Sequence, residues 1–407
     1  MDRIQTMIYL SPGNLPSQMA HTGQIAKMAQ AFAQRVAGFE LVTGGDWRTF
    51  RTGADAEFWQ WYSLHQPFRL VRLPIHRRCQ LPFPEGYRNW NYYKLATLYA
   101  YYKSPRLIYT RTGTIARYLL SMGVPVMWEW HEFLHEGYHD IVQSPHLLGL
   151  VTIAPQLAES YIKEGVDPNK ICVASSATDL DSFLPNQSKL AARTKLGLPG
   201  GKPLILYSGH LQDYKGIPTL LEVAERLPHY QFILVGGWAT DVKRVQSIAQ
   251  SRRLTNVQLI GHVPQSDLPT YLYAADVLLL PTSQTWQLAN TTSPLKLFDY
   301  MAVKKPIVAS ALPTIQTILR DRHNALLAQP DDPLSFQEAI TTLIDHPSIA
   351  QTLANQAYQD VQQYTWEKRA DRILQFAVDR LAQHSTPSVP LPKRLVRSFR
   401  TLTTQYP

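Results

Sequence analysis

Short apolar runs alternate with amphipathic segments through the second half of the chain, and this alternation constrains the fold more than any other feature. The runs predicted as strands are Leu204–Ser208, Phe232–Val235, Val257–Ile260, Val277–Leu280, Pro306–Ala309 and Ala325–Ala328. The segments predicted as helices between them include Ile217–Leu227, Asp241–Arg252 and Pro294–Val303. Strands that are apolar along their whole length and separated by helices are typical of a parallel sheet covered on both faces. The second half is therefore predicted to be a doubly wound α/β domain.

The first half repeats this pattern less regularly. Its predicted strands are Met7–Leu10, Glu40–Thr43, Leu70–Leu73, Leu107–Thr110, Val124–Trp128, Leu150–Ile153 and Ile171–Ala174, with a helix over Thr22–Val36 after the first. A chain of 407 residues suits two domains. We place the first at residues 1–185 and the second at 186–364, joined by a linker over Leu184–Gly201 that proline and glycine punctuate. Residues 385–407, rich in proline and then basic, are predicted to be a flexible tail.

Composition narrows the class of protein. Hydrophobic residues make up 45% of the chain and charged residues 17%, which argues against disorder. The two cysteines, Cys79 and Cys172, fit no metal or disulfide spacing and favour a reducing compartment. No apolar run reaches the length of a signal peptide or of a membrane span, which is about 20 residues. We therefore expect a cytoplasmic protein, at most peripheral on the inner face of a membrane.

One segment is strongly basic. Between Arg69 and Arg117 there are ten lysines and arginines and one acid, Glu85, with aromatic residues interleaved. The pattern fits an anionic partner, either a membrane surface or a nucleic acid, or else a solvated helix whose aromatic face packs on the sheet. No base-reading motif is present, so we expect no nucleic-acid partner. The membrane hypothesis assigns contact with an anionic leaflet to Arg77, Arg78, Arg88 and Lys94.

Three segments of the second half carry candidate binding residues. In Tyr207–Gly216, a strand gives way to a helix, with Gly209 allowing close backbone approach and Lys215 supplying a charge for a phosphate. Gly236 and Gly237 end the next strand, where a base or ribose could approach, although a simple tight turn fits as well. Farther on, Ser293 is predicted as a helix N-cap with Pro294 as the first helical residue, and Asp299 as an acceptor for ribose hydroxyls or a solvated surface acid.

In the first half, His131 lies just past a predicted strand, where ligands bind in such sheets. Glu129 and Glu132 flank it and could orient its ring. The loop before the first long helix contains Gly13, His21 and Gly23, and its glycines allow close backbone approach. A structural histidine is the competing interpretation for His131, and His21 is the weaker candidate.

Taken together, these segments resemble the family 4, or group 1, retaining glycosyltransferases of GT-B fold. The resemblance runs to about His384 and is strongest over Leu204–Ala328, which includes Lys-Gly at 215–216, Val-Gly-Gly at 235–237, Gly-His-Val at 261–263 and the run from Ser293 to Ala302. It implies an α/β GT-B fold, with two Rossmann-like doubly wound parallel-sheet domains facing each other across a cleft. It also implies that a helix over residues 365–384 crosses back to the first domain.

The resemblance implies a hexosyl transfer with retention from a nucleotide-diphosphate sugar, which is the co-substrate, with no cofactor and no metal. The implied catalytic residues are His131, Lys215 and Asp299. The implied donor-binding residues are Gly209, His210, Lys215, Gly236, Gly237, Val263, Ser293, Pro294, Leu295, Lys296 and Asp299. The implied acceptor side consists of Gly13, His21, Gly23, Arg111 and His131, for a glycan, lipid or small-molecule acceptor.

Two residues depart from the family pattern. Thr291 stands where the first of two acids spaced eight residues apart is usual, and Asp299 stands at the second. His210 stands where many members have an arginine beside the diphosphate. Backbone N–H groups and Lys296 are then expected to take over part of the donor contact.

Other functions fit parts of the same sequence. A sugar-nucleotide epimerase or a phosphorylase would keep the fold and change the reaction, and an epimerase would need no acceptor. A weakly active or non-catalytic donor-binding protein at a membrane would explain Thr291 and His210.

Overall fold

The chain divides into two structural units, each built around its own parallel sheet. The computed structural model describes residues 4–17, 19–45, 55–74 and 85–384. Unit 1 contains the described residues up to Ala174 and those from Trp366 onward, and unit 2 runs from Ser175 to Thr365. The predicted boundary at residue 185 is therefore too late. Residues 175–185 pack within unit 2, where Thr178 hydrogen-bonds Asp299 and Phe183 joins the apolar core.

Unit 1 contains a seven-stranded sheet. Its strands are β1 (Thr6–Asn14), β2 (Gly38–Gly45), β3 (Arg69–Pro74), β4 (Leu107–Thr110), β5 (Val126–Glu129), β6 (Leu147–Thr152) and β7 (Ile171–Val173). They pair in parallel in the order β3-β2-β1-β4-β5-β6-β7. The helices are α1 (Ala20–Ala33), α2 (Asp55–Trp61), α3 (Glu85–Lys103), α4 (Gly113–Ser121), α5 (His139–Val142) and α6 (Pro155–Lys163), and α15 (Trp366–Gln383) joins them from the far end of the chain.

Unit 2 contains a six-stranded sheet. Its strands are β8 (Leu204–Ser208), β9 (Gln231–Val235), β10 (Val257–Gly261), β11 (Val277–Leu280), β12 (Ile307–Ser310) and β13 (Leu326–Ala328). They pair in parallel in the order β10-β9-β8-β11-β12-β13. The helices are α7 (Lys189–Leu196), α8 (Ile217–Arg226), α9 (Ala239–Ser251), α10 (Leu268–Ala274), α11 (Leu295–Ala302), α12 (Pro313–Gln316), α13 (Pro333–Asp345) and α14 (Pro347–Val361).

The strand predictions are confirmed in both units, with differences at the strand ends. Each predicted run overlaps one of the thirteen strands above. The strands β4, β5, β6, β8, β11 and β12 are buried at every position, as expected for sheets that helices cover, whereas the edge strands β3 and β10 are only partly buried. The prediction of two doubly wound α/β sheets is confirmed as well.

The predicted linker over Leu184–Gly201 is wrong in part, because α7 lies inside it. The Ser188 hydroxyl caps this helix by accepting a hydrogen bond from the Ala191 N–H at 3.1 Å. Gly197 ends it in the left-handed conformation, with φ of 63°. Both are ordinary helix signals, which the proline and glycine on either side obscured.

Helix α15 packs within unit 1 against α1 and β6. Gly149 on β6 gives it room, since a Cβ there would lie 2.4 Å from the Phe376 ring. The Arg380 guanidinium also donates a hydrogen bond to the Leu148 carbonyl oxygen at 2.9 Å. The tail predicted over residues 385–407 lies outside the described residues. Among the helices that are described, none combines the length and apolarity that a membrane span requires.

Candidate functional site

The strand order of the unit 2 sheet reverses between β8 and β11. Ligands of doubly wound sheets bind beyond the carboxyl ends of the strands at such a point. Gly209 follows β8 and Pro281 follows β11. A Cβ on Gly216 would lie 1.6 Å from the Pro281 carbonyl oxygen, so the two loops are in direct contact. The loop that contains Lys215 is thereby held at the reversal point.

The glycines of this region pack backbone against backbone. Gly209 and Gly236 have φ of +132° and +107°, a region that favours glycine. A Cβ on Gly236 would lie 2.5 Å from the Gly209 carbonyl oxygen, and one on Gly209 would lie 2.6 Å from the Lys296 ammonium. A Cβ on Gly237 would lie 2.7 Å from the Leu211 side chain. A side chain at Gly236 would displace the Gly209 backbone, whereas one at Gly209 or Gly237 would displace the side chain of Lys296 or Leu211.

Two lysines lie at this edge, each against an aromatic ring. The Lys215 Nζ is 3.7 Å from the centre of the Trp286 ring and 5.0 Å from that of Tyr214. The Lys296 Nζ is 3.8 Å from the centre of the Tyr207 ring. Rings attract ammonium groups through their quadrupole, although less strongly than a carboxylate would. The aromatic rings therefore hold two cations at the position predicted for a diphosphate.

Neither ammonium forms an ion pair with a described residue. Within the described part of the chain, no carboxylate oxygen lies within 4.0 Å of the Lys215 or Lys296 Nζ. Burial lowers the pKa of Lys215 to about 8. Burial, together with the charge of Lys215, holds the pKa of Lys296 well below its usual range. An anion bound here would relieve both effects, since it stabilises the protonated form of each lysine.

His210 lies beside the two lysines. Its ring stacks on Trp238 with the centroids 5.5 Å apart. Burial, followed by the charges of Lys296 and Lys215, lowers the pKa of His210. The ring is therefore neutral near pH 7 in the absence of an anion, and its contribution of charge depends on one being bound.

The start of α11 differs from the prediction. Pro294 is the N-cap residue and Leu295 the first helical residue, and no side chain caps the helix. The Ser293 hydroxyl instead accepts a hydrogen bond from the Ser176 N–H at 3.0 Å. The predicted N-cap is wrong because a residue distant in sequence recruits this hydroxyl.

The two positions of the family's acids have partners inside unit 2. Thr291 is buried, and its hydroxyl donates to the Leu288 carbonyl oxygen at 3.3 Å. The Asp299 carboxylate accepts a hydrogen bond from the Thr178 hydroxyl at 2.6 Å. Val263 follows β10 and packs partly buried against the core of the unit. A ribose role for Asp299 and a base contact for Val263 stay predictions.

In unit 1, His131 belongs to a buried network at the end of β5. Its Nε2 lies 2.7 Å from a Glu129 carboxylate oxygen, and its Nδ1 lies 2.8 Å from the Arg111 guanidinium. Arg111 also donates to Gln24 on α1 at 2.9 Å. Arg369 on α15 donates to the same Glu129 oxygen at 2.7 Å. The predicted contact between His131 and Glu129 is thus present in the structure. Arg369, from the last helix, binds the same carboxylate.

The environment of His131 keeps its ring neutral. Burial and the Arg111 charge lower the pKa of His131 to about 4, against the opposing effect of Glu129. Burial raises the pKa of Glu129, but the charges of Arg369 and Arg111 and the hydrogen bond from His131 outweigh it and hold this pKa well below its usual range. A neutral histidine therefore lies between a carboxylate and a guanidinium.

The other residues predicted on the acceptor side lie near the ends of β1 and β4. Arg111 follows β4, and Gly13 is in β1, where its carbonyl oxygen accepts from Ser11 at 3.2 Å. His21 and Gly23 lie in the first turns of α1, and a Cβ on Gly23 would meet nothing within 4 Å. Gly23 therefore leaves open space beside the helix start, as close approach of a ligand would require.

Sequence reasoning missed the aromatic residues and the arginine that complete these sites. Trp286, Tyr214 and Trp238 contact Lys215 and His210, but no periodic pattern marks them. Arg369 lies 240 positions from its partner Glu129. The sequence pattern that could have identified Arg369 is its position on the apolar face of an amphipathic helix, the face that also contains the buried residues Ala370 and Ile373.

Comparison with known proteins gives a consistent result for unit 2. Residues 188–360 match the family described as glycosyl transferases group 1, over less than half of the chain. The D-inositol 3-phosphate glycosyltransferase of Xylanimonas cellulosilytica is 28% identical over 237 residues, covering 55% of this chain and 55% of that protein. The chain thus spans about half the length of the curated relatives it matches.

Two solved structures share the fold over nearly the whole chain. A glycosyltransferase from Rickettsia africae aligns with a TM-score of 0.73 at 15% identity, covering 93% of this chain and 99% of that one. The Anabaena protein HepE, solved in complex with UDP, aligns with a TM-score of 0.71 at 15% identity, covering 92% and 100%. The chain therefore has the GT-B fold of solved glycosyltransferases, and its residues 188–360 match the group 1 glycosyl transferase family.

Proposed function

We propose that this chain transfers a hexose from a nucleoside-diphosphate sugar to a hydroxyl of a glycan, lipid or small-molecule acceptor, with retention of the anomeric configuration. The observation that carries the proposal is the pair of half-buried lysines, Lys215 and Lys296, at the edge where the strand order reverses. Among the described residues, no carboxylate oxygen lies within 4.0 Å of either ammonium. The group 1 domain match supports it, as does HepE, which was solved with UDP and with UDP-glucose.

The proposed chemistry is electrostatic. The acceptor oxygen forms a bond to the sugar C1 as the bond between C1 and the oxygen of the β-phosphate breaks. The proton of the acceptor hydroxyl passes to the departing diphosphate, on which negative charge develops. Lys215 and Lys296, both half-buried, would stabilise that charge. Helix α8 begins directly after Gly216, so its free N–H groups add to the positive potential. His210 would add a further charge once the diphosphate raises its pKa.

The remaining roles follow the resemblance. Asp299 would hold ribose hydroxyls alongside its bond to Thr178, with Val263 at the base. In unit 1, His131 and Arg111 would contact the sugar or the acceptor. Uridine is the first base to test because HepE binds UDP, and a phosphorylated inositol belongs among the acceptors because of the matched relatives. The proposed reaction uses the nucleotide sugar as co-substrate and invokes no metal; the latter stays a prediction.

Nucleotide binding is the first test. A ligand that binds only the folded state raises the melting temperature by mass action. We would measure thermal shifts with UDP, GDP, ADP and their hexose conjugates for the wild type, Lys215→Met and Lys243→Met. Lys243 is an exposed lysine on α9 and serves as the matched control. A shift with one nucleotide that only Lys215→Met abolishes supports the donor site, whereas equal shifts in all three proteins contradict it.

A second candidate function is donor binding without turnover. It is favoured by Thr291, which is buried and bonded to the Leu288 carbonyl where the family has an acid. Mass spectrometry of mixtures containing the donor and candidate acceptors separates the two functions. Transferred or hydrolysed hexose supports the enzyme, and tight nucleotide binding with intact donor supports the second candidate. Epimerised donor has the same mass as the original donor and must be separated from it by chromatography; its formation without an acceptor would indicate an epimerase.

We also propose that the protein binds an anionic membrane surface through its basic segment. Arg77 and Arg78 lie outside the described residues, whereas Lys94 lies on α3 and is partly buried. Flotation with anionic and with neutral vesicles tests this: recovery that depends on anionic lipid supports it, and equal recovery contradicts it.

A further inference from the structure

The Glu129 carboxylate accepts hydrogen bonds from three different side chains. One oxygen accepts from Tyr109 at 2.5 Å, and the other accepts from Arg369 and from His131, each at 2.7 Å. The side chains of Glu129 and Arg369 are 1% and 2% exposed. A buried carboxylate bound to a guanidinium is ionised and accepts hydrogen bonds only. Glu129 can therefore bind His131 only through a ring N–H.

The other ring nitrogen of His131 is constrained from the opposite side. Arg111 always carries its proton and has donors but no acceptor, so the Nδ1 atom 2.8 Å away must offer a lone pair. The two contacts together define one neutral tautomer, with the proton on Nε2. Neither contact alone would do so as firmly, because a neutral imidazole can carry its proton on either nitrogen.

The two partners of His131 differ in how readily a ligand could replace them. If His131 broke its contact with Glu129, a buried anion would lose a hydrogen bond. Breaking the contact between His131 and Arg111 costs less, because that guanidinium is only partly buried and keeps its bond to Gln24 at 2.9 Å. A ligand group at this ring therefore replaces Arg111, at Nδ1, and leaves Glu129 in place.

We infer that Glu129 and Arg369 are positioning residues that hold His131 in the Nε2–H tautomer, so that the ring offers a ligand only the lone pair of Nδ1. The group that binds there is then a donor, such as a sugar hydroxyl, and not a phosphate oxygen or a carbonyl. His131 would orient that hydroxyl and would not protonate a leaving group. The part that concerns turnover rests on the proposed function, whereas the tautomer does not.

The tautomer can be measured in the ligand-free protein. Long-range ¹H–¹⁵N correlation spectra of protein labelled at its histidines distinguish a protonated ring nitrogen from an unprotonated one. The variant His131→Gln identifies the signals of His131. We expect one protonated nitrogen, coupled as Nε2, and one unprotonated nitrogen, coupled as Nδ1. A proton on Nδ1 would overturn the inference whatever the protein catalyses.

The double variant Glu129→Gln/Arg369→Gln removes both charges together, so that no unpaired buried charge remains to unfold the protein. The double variant Arg193→Gln/Asp276→Asn is the control, since this unit 2 pair is also 2.6 Å apart and its arginine is buried, although Asp276 is 15% exposed and also pairs with Lys189. Both should lower the melting temperature. Only the first should let His131 exchange between tautomers.

The kinetic readout separates positioning from stability. If hexose transfer is detected, the Glu129/Arg369 variant should lose about tenfold or more in kcat, with the KM for the nucleotide sugar nearly unchanged, because the lysines that would bind the diphosphate are intact. The control should keep the kcat of the wild type at a temperature where both are folded. An unchanged tautomer and kcat in the first variant would refute the positioning role. Absence of transfer by the wild type would instead count against the proposed function.

Discussion

Replacing Gly216 by alanine should displace the loop that contains Lys215, and the structure gives the size of the expected loss of stability. Gly216 has φ of +81° and caps α8. An alanine in this left-handed conformation costs about 1–2 kcal/mol. Its Cβ would also lie 1.6 Å from the Pro281 carbonyl oxygen, and the separation must grow by about 1.4 Å to reach 3.0 Å, the shortest contact that real Cβ atoms show. Such overpacking costs a further ~1–3 kcal/mol.

Gly197→Ala is the matched control for this prediction. Gly197 is also left-handed, with φ of +63°, but a Cβ there would meet nothing within 4 Å. It should therefore lose only the conformational contribution, about 1–2 kcal/mol. Both residues lie in unit 2, so urea denaturation of the same structural unit reports both free energies of unfolding. Gly216→Ala should also weaken nucleotide binding, because Lys215 would be displaced, and Gly197→Ala should not. Equal losses of stability in the two variants would refute the reasoning.

Three further predictions concern charge and packing. The pKa of Lys215 is lowered to about 8, so its ammonium is present below that pH and is lost above it. Nucleotide affinity should therefore fall as the pH rises past 8. Isothermal calorimetry should show this fall in the wild type and a smaller one in Lys215→Arg, because an arginine stays charged. Arg369→Met leaves the Glu129 charge buried without its partner and should lower the free energy of unfolding by ~3–5 kcal/mol. The control Arg35→Met breaks a pair whose Asp371 side chain is 60% exposed, so it should lower that free energy by no more than about 1 kcal/mol. Comparable losses of stability in denaturation experiments would contradict the assigned burial. Gly149→Ala should destabilise unit 1 by ~1–3 kcal/mol because the added Cβ meets the Phe376 ring. In a double-mutant cycle, Phe376→Leu should recover part of that loss. If the losses of stability of the two single variants simply add in the double variant, the two positions do not interact.

The sequence was sufficient for the strands, for several of the helices and for the fold class. Most strands are short, largely apolar runs, and helices such as α8 and α11 have a periodic apolar face, so local patterns alone predict them. The same patterns place Gly209, Lys215 and His131 just beyond strand ends, where ligands of parallel sheets bind. Only α7 was lost among linker residues, because the proline and glycine on either side outweighed its two caps.

The partners of these residues were decided only by the tertiary structure. Trp286 lies against Lys215, and Arg369 binds Glu129, which is 240 positions away in the sequence. The Ser293 hydroxyl, predicted to cap a helix, instead accepts a hydrogen bond from the Ser176 N–H. Hydrophobic periodicity records whether a residue is buried, but it carries no information about which distant residue it meets. Packing sets those pairings once the sheets have formed. The sequence therefore determined where the candidate side chains lie relative to their strands, and the fold determined which residues surround them.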